Sequence, residues 1–191
     1  MNPPLPSPAD LAQTPVPIAI EPSEGCRWVP AYCRPRTEKV VVEHCLRHGI
    51  PCYLPLLRQK RRYQRRTVEV QLPMFRGYVF AQLDSDNRSL FLECHRIVHI
   101  VDVNDTQERL LLGELRALQR LELAQGEVAL EVMPEVQPGT TVLVAEGPLR
   151  GTTGIVEHRK GRTRVTVNIE LLGRSVVAEM DLGELELNPE G

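Results

Sequence analysis

Glu146-Gly147-Pro148-Leu149-Arg150-Gly151-Thr152-Thr153-Gly154-Ile155-Val156-Glu157 is the stretch whose punctuation decides how the C-terminal third of the chain is read. Glycine reaches positive φ without a Cβ clash, and proline presets φ for the second position of a turn. Gly147-Pro148 and the Gly151 to Gly154 step are therefore two sharp bends between short strands. Upstream, Gln137-Pro138-Gly139 is a turn that opens onto an alternating run over residues 141–145. Downstream, residues 163–169 and 175–180 alternate again, joined by Leu172-Gly173-Arg174, and Leu185-Glu186-Leu187 closes the series. Five short strands with turn residues at close spacing predict a small β-barrel, because closure removes unpaired edges.

The bulk properties bound the rest. A chain of 191 residues has room for one medium or two small domains. With 42% apolar and 25% charged residues, it has the composition of an ordinary globular protein. The net charge of −2 indicates no partner, but its distribution does. Residues 26–126 carry 17 Lys/Arg against 11 Asp/Glu, and residues 127–191 carry 6 against 11. A basic first domain and an acidic second one suit different partners, the first a polyanion.

No apolar run approaches the roughly 18 residues of a membrane span. The start Met1-Asn2-Pro3-Pro4 lacks the basic region and apolar core of a secretory signal. A monomeric cytoplasmic protein without membrane contact is expected. Cys26, Cys33, Cys45, Cys52 and Cys94 lack CxxC spacing and read as reduced, mostly buried thiols. His44, Cys45 and His48 fall short of a zinc set, which usually needs four ligands in recognisable pairs. No metal or cofactor is expected. There is no P-loop, GxGxxG or HExxH, and the acid pairs Asp84/Asp86 and Asp102/Asp105 fit solvated turns, so no enzyme is expected.

Along the chain, residues 1–25 hold seven prolines and little periodicity, which predicts a disordered tail. Arg27–Cys33 is a strand candidate, with Pro30 suggesting an edge or a bend. Residues 38–48 form a helix candidate, with Thr37 as N-cap and Gly49 as stop. Residues 50–57 are a strand interrupted by prolines. Residues 58–66 hold six basic side chains in nine and, with the alternating residues 67–72, predict a hairpin with its tip near Tyr63-Gln64. Residues 78–83 are a strand, 87–95 a helix, 97–103 a strand and 110–123 a leucine-rich helix. Residues 124–136 are a linker that would leave the last domain, 137–191, free. The order β-α-β-β-β-α-β-α over 26–123 predicts an α+β fold, helices on an antiparallel sheet, followed by the small barrel.

Two module patterns then coincide. The series Pro138-Gly139, Val142-x-Val144, Gly147-Pro148-Leu149, Gly154-x-Val156-Glu157, Val165-x-Val167 and Leu172-Gly173-Arg174 resembles a KOW domain, an SH3-like barrel. Arg27-Trp28-Val29 with Tyr32, Pro55, and Pro73-Met74-Phe75-Arg76-Gly77-Tyr78-Val79-Phe80 resemble the NGN domain of NusG-family transcription elongation factors, with Arg76 where proline is usual. Tyr32-Cys33-Arg34 and Glu43-His44-x-x-Arg47 are similar to the RfaH-like specialised branch. The resemblance implies binding to the clamp helices of bacterial RNA polymerase, modulation of pausing and termination, and antitermination in particular, with a housekeeping factor that links polymerase to Rho or the ribosome as the alternative.

Candidate residues follow, each with a plainer competing role. Tyr78 and Phe80 share a sheet face by the two-residue period. They belong either to the core or to an apolar depression that accepts a partner's helices. The resemblance makes them polymerase contacts, walled by Ile97, Ile100 and Val101. The hairpin cations, Arg61, Arg62 and Arg65 among them, either solubilise an edge or meet phosphates, and Tyr63 could stack on a base. The resemblance also makes Arg34, His44, Arg47, His95 and Arg96 readers of the non-template DNA strand. Without it they are a solvated helix face. In the last domain, Leu149, Leu171, Leu172 and Arg174 lie at turns. They pack a barrel end or, by resemblance, bind a small-subunit ribosomal protein or Rho. A KOW-containing RNA-binding or ribosome-associated module is the rival from another class.

Overall fold

A computed structural model describes residues 18–63, 66–126, 130–134, 140–144, 150–159, 162–180 and 185–187. The first sheet joins β1 (Arg27–Cys33), β2 (Cys52–Tyr53), β5 (Tyr78–Leu83) and β6 (Ile97–Ile100) in the order β2-β5-β1-β6, with antiparallel ladders. Alternation along β1 and β5 sends their side chains into two cores. Val29, Ala31, Cys33, Val79, Ala81 and Leu83 meet Val41 and Cys45 of α1 (Glu38–Arg47) and Phe91 of α2 (Asn87–Leu92). Trp28 and Phe80 meet Leu111, Leu115, Leu118 and Leu121 of α3 (Asp105–Leu123) on the other face. The sheet is therefore covered on both sides, as the α+β pattern predicts.

Local chemistry explains several boundaries. α3 begins five residues before the leucine pattern, because Asn104 and Gln107 form a reciprocal capping box. Thr37 stands at the N-cap of α1, but its side chain makes no cap hydrogen bond. Its hydroxyl donates instead to the carbonyl of Arg34 at 2.7 Å. α2 and β6 are shorter than their sequence patterns. Pro30 lies in a central strand rather than at an edge. Its carbonyl accepts from Val101 N on the β6 side, where its missing N–H would also face, and β6 ends at Ile100. The ladder to β5 therefore loses no donor there.

Residues 18–25, expected to belong to a disordered tail, are instead placed against the domain. Ile20 is buried in the α3-side core. Trp28 Nε1 and Gln82 Nε2 both donate to the Glu21 carbonyl, at 3.0 and 2.9 Å. Arg116 Nε holds the Ile20 carbonyl at 2.8 Å, and Gln119 Nε2 holds that of Ile18 at 2.7 Å. Four side chains thus pin an extended strap across the sheet and α3.

β3 (Leu56–Tyr63) and β4 (Arg66–Pro73) form a separate two-stranded ribbon, paired from Leu56↔Pro73 to Tyr63↔Arg66. The predicted strand over 50–57 is split, with β2 in the sheet and β3 in the ribbon. β7 (Leu130–Pro134), β8 (Thr140–Val144), β9 (Thr153–Arg159), β10 (Arg162–Ile169), β11 (Arg174–Met180) and β12 (Leu185–Leu187) form the second sheet, ordered β12-β8-β9-β10-β11-β7. β7 lies where the sequence pattern placed a linker, and it pairs with β11.

This second sheet packs against α3. Val167, Ile169, Val176 and Ala178 share one buried cluster with Leu111, Leu115 and Leu118. Arg120 Nε donates to Thr152 Oγ1 at 3.2 Å, and Glu170 N donates to Glu114 Oε1 at 3.0 Å. In this arrangement the last domain is docked, not free.

Candidate functional site

Register decides which candidates share a surface. Tyr32 pairs with Tyr78 on one side and with His99 on the other. The three therefore form a row across β5, β1 and β6. The two tyrosine rings are 5.3 Å apart and tilted by 52°. Both are half-buried, and His99 is exposed. A buried carboxylate sets this row. Glu38, at the start of α1, accepts Gly77 N–H at 2.7 Å, and Cys33 N donates to the Gly77 carbonyl at 2.7 Å. Gly77 has φ +81°, and a Cβ there would lie 2.8 Å from the Tyr32 ring. Burial, with the Glu38 charge adding to it, pushes the nearby Cys33 thiol up to about 11.

The other proposed walls of this face divide differently. Phe80 is 0% exposed and sits edge-on to Phe75 in the α3-side core. Ile100 is 6% exposed, pairs with Ala31 and enters the opposite core. Ile97 packs against that same opposite core, and Val101 is half-buried just past β6. Phe80 and Ile100 are thus buried in the two cores, and Tyr32 and His99 lie beside Tyr78. Their signal lay in the strand register, which spacing within one strand does not disclose.

Of the second group, the backbone joins Arg34 and Arg96 just beyond Cys33 and Ile97, the next pair of β1 and β6 after Tyr32 and His99. Arg34 N donates to the Arg96 carbonyl at 2.9 Å, and both side chains are exposed, as are Arg47 and His95. His95 (φ +51°) and Arg36 (φ +64°) hold left-handed backbone, uncommon outside glycine. His44 departs from the expected exposed reader. It is 8% exposed, its Nε2 meets the Leu90 carbonyl at 2.8 Å, and its ring stacks 4.4 Å from exposed His48. It ties α1 to α2 beneath that surface.

The base of the β3–β4 ribbon is clamped by α3. Tyr53 Oη donates to Glu122 Oε2 at 2.8 Å, and Leu56 N donates to Glu122 Oε1 at 3.2 Å. Gln125 accepts from Arg58 N and donates to the Leu56 carbonyl. Burial raises the Glu122 carboxyl above its ordinary value against the pull of these hydrogen bonds, and it drives the Tyr53 phenol well up. Arg62 is exposed, Arg61 and Tyr63 stand at the alternate register positions, and Arg65 lies outside the described residues.

In the second sheet, Leu149 lies outside the described residues. Leu172 is half-buried against the shared core. Leu171 also packs on the α1-side core, all of whose buried members belong to residues 29–103. Arg174 is exposed. The acid pair in the 84–86 turn is structural. Asp84 Oδ1 accepts from Asp86 N and Asn87 N at the start of α2, and the Asn87 hydrogen bond leads the effects holding its carboxyl below the usual range. Among the described residues, no cluster of three or more His, Cys, Asp or Glu is arranged for a metal ion. Among them too, no helix is long and apolar enough to cross a membrane.

Residues 26–117 match the model of the NusG family, described as transcription termination factor nusG. This span contains the sheet, α1, α2, the ribbon and most of α3, and over it the chain is similar to the NusG family. A solved structure titled "Domain interaction in Thermotoga maritima NusG" overlaps with a TM-score of 0.45 at 19% identity, covering 85% of this chain and 97% of that one. A structure of the MjSpt4:Spt5 complex overlaps with a TM-score of 0.27 at 12% identity, covering 84% and 95%. Both overlaps are loose. A comparison with curated protein sequences returned no match.

Proposed function

We propose that this protein binds RNA polymerase through the Tyr78–Tyr32–His99 row and modulates pausing and termination, in the manner of a specialised antiterminator. The observation that carries the reading is the row itself: two half-buried aromatic rings beside the buried Glu38–Gly77 hydrogen bond, within the span that matches the NusG-family model. Half-buried tyrosines suit a protein interface, since each presents an apolar ring and a polar tip. The polymerase's clamp helices are the partner this reading names, docking as helices in an apolar depression.

Exposed Arg34 and Arg96 lie beside the row, and with exposed Arg47 and His95 they are read as suited to unpaired bases of the non-template strand through stacking and forked hydrogen bonds. Binding that favours the closed polymerase over the paused one shifts a population without chemistry. The C-terminal sheet is read as a KOW domain. Leu171 and Leu172, its candidate contacts for a small-subunit ribosomal protein or Rho, pack against the buried cores in this arrangement. Engaging such a partner requires undocking from α3.

Single-round transcription through a pause and a terminator tests the reading. The added protein is expected to shorten pause dwell and increase read-through. Unchanged dwell and read-through, together with RNA binding, would favour the RNA-binding module instead.

A further inference from the structure

The β3–β4 register sorts the hairpin's cations in a way that composition does not. Arg58, Lys60 and Arg62 occupy alternate positions of β3 and therefore one face of the ribbon. All three are exposed. Their cross-strand partners are Gln71, Glu69 and Thr67, so an acid lies opposite the middle cation alone. None of the three forms an ion pair among the described residues, and Arg58 feels Glu122 only at longer range. Arg61 and Tyr63 fall at the intervening positions. The ribbon's base is fixed rigidly to α3 by Glu122 and Gln125. The row is thus a line of charge on a held support, with neighbours about 6.8 Å apart along the strand from the antiparallel rise. That interval is close to the separation of successive phosphates along one nucleic-acid backbone.

We propose that Arg58, Lys60 and Arg62 bind three consecutive phosphates of a single nucleic-acid strand, with Glu69 opposite the centre of the row weakening the grip. The site is separate from the Arg34–Arg96 face. The proposal rests on the transcription-factor reading for its setting, and its recognition chemistry is phosphate charge without base readout. Such a strand is either unpaired or one side of a duplex.

The test uses the full chain and fluorescent oligodeoxythymidylate or a duplex of equal length, titrated across a series of KCl concentrations. The variants are Arg58→Gln/Lys60→Gln/Arg62→Gln and Glu69→Gln. Removing three phosphate contacts should flatten the slope of log K against log salt by about 2.1 with the single strand, or about 2.7 with the duplex, from roughly 0.7 and 0.9 per phosphate. Either value supports the proposal and identifies the bound form. Glu69→Gln should tighten binding. These side chains are exposed, so unchanged thermal unfolding is expected and serves as the folding check. An unchanged slope in the folded triple variant, or weaker binding by Glu69→Gln, overturns the proposal. Polymerase binding measured without nucleic acid should be the same for wild type and triple variant. Its absence in the wild type would instead count against the transcription-factor reading.

Discussion

At the scale of single residues, burial separates contact from support. Tyr78 and Phe80 share a face by sequence parity, yet α3 covers Phe80 and leaves Tyr78 at the margin. Phe80→Ala should therefore cost about 3–5 kcal/mol of stability by denaturant unfolding. Tyr78→Ala should cost clearly less there and act on polymerase affinity instead. Gly77→Ala meets both obstacles at once, a left-handed backbone and a Cβ 2.8 Å from the Tyr32 ring. It should lose about 2 kcal/mol or more in the same measurement and also move Tyr32. The Pro73–Phe80 motif was legible in the sequence. The role of Glu38, which holds Gly77 from 39 residues away, was not, because its signal is a tertiary hydrogen bond. His44 illustrates the same limit: helical spacing gave it a polar position, while α2 packed over it.

At the scale of elements, the ribbon was legible as a hairpin because alternation and six cations in nine residues point the same way. Its attachment was not, since Glu122 and Gln125 look like ordinary polar positions near a helix end. The clamp carries a pH signature. The Glu122 carboxyl is raised in the folded state above its ordinary value of 4.5. A raised acid binds its proton more tightly when folded, so its stabilising contribution is complete below the unfolded value and is lost as pH rises through the folded one. Glu122→Gln should remove this dependence. The stability of wild type relative to the variant should therefore fall as pH rises from about 4.5, measured by denaturant unfolding at several pH values. A constant difference would mean that Glu122 does not titrate in the clamp.

At the scale of the whole molecule, α3 joins the strap, the sheet, the ribbon and the second sheet. The leucine pattern announced a buried helix, but Leu111, Leu115, Leu118 and Leu121 do not state what buries them. That stripe is wide enough for two partners, and the sequence reading supplied only one. Ile169→Ala, in the shared layer, should cost about 2–5 kcal/mol and speed hydrogen exchange of α3 amides more than those of β1 and β5. Equal change throughout would indicate that the contact does not act locally on α3. Docking of the Tyr78–Tyr32 row on RNA polymerase is the contact on which the proposed function depends. The direct measurement is equilibrium binding of the full chain to purified bacterial RNA polymerase, comparing wild type with a folded Tyr32→Ala/Tyr78→Ala variant. A loss of at least about tenfold is expected in the variant, roughly 1.4 kcal/mol of binding free energy. Wild type bound no more tightly than the double variant would contradict it.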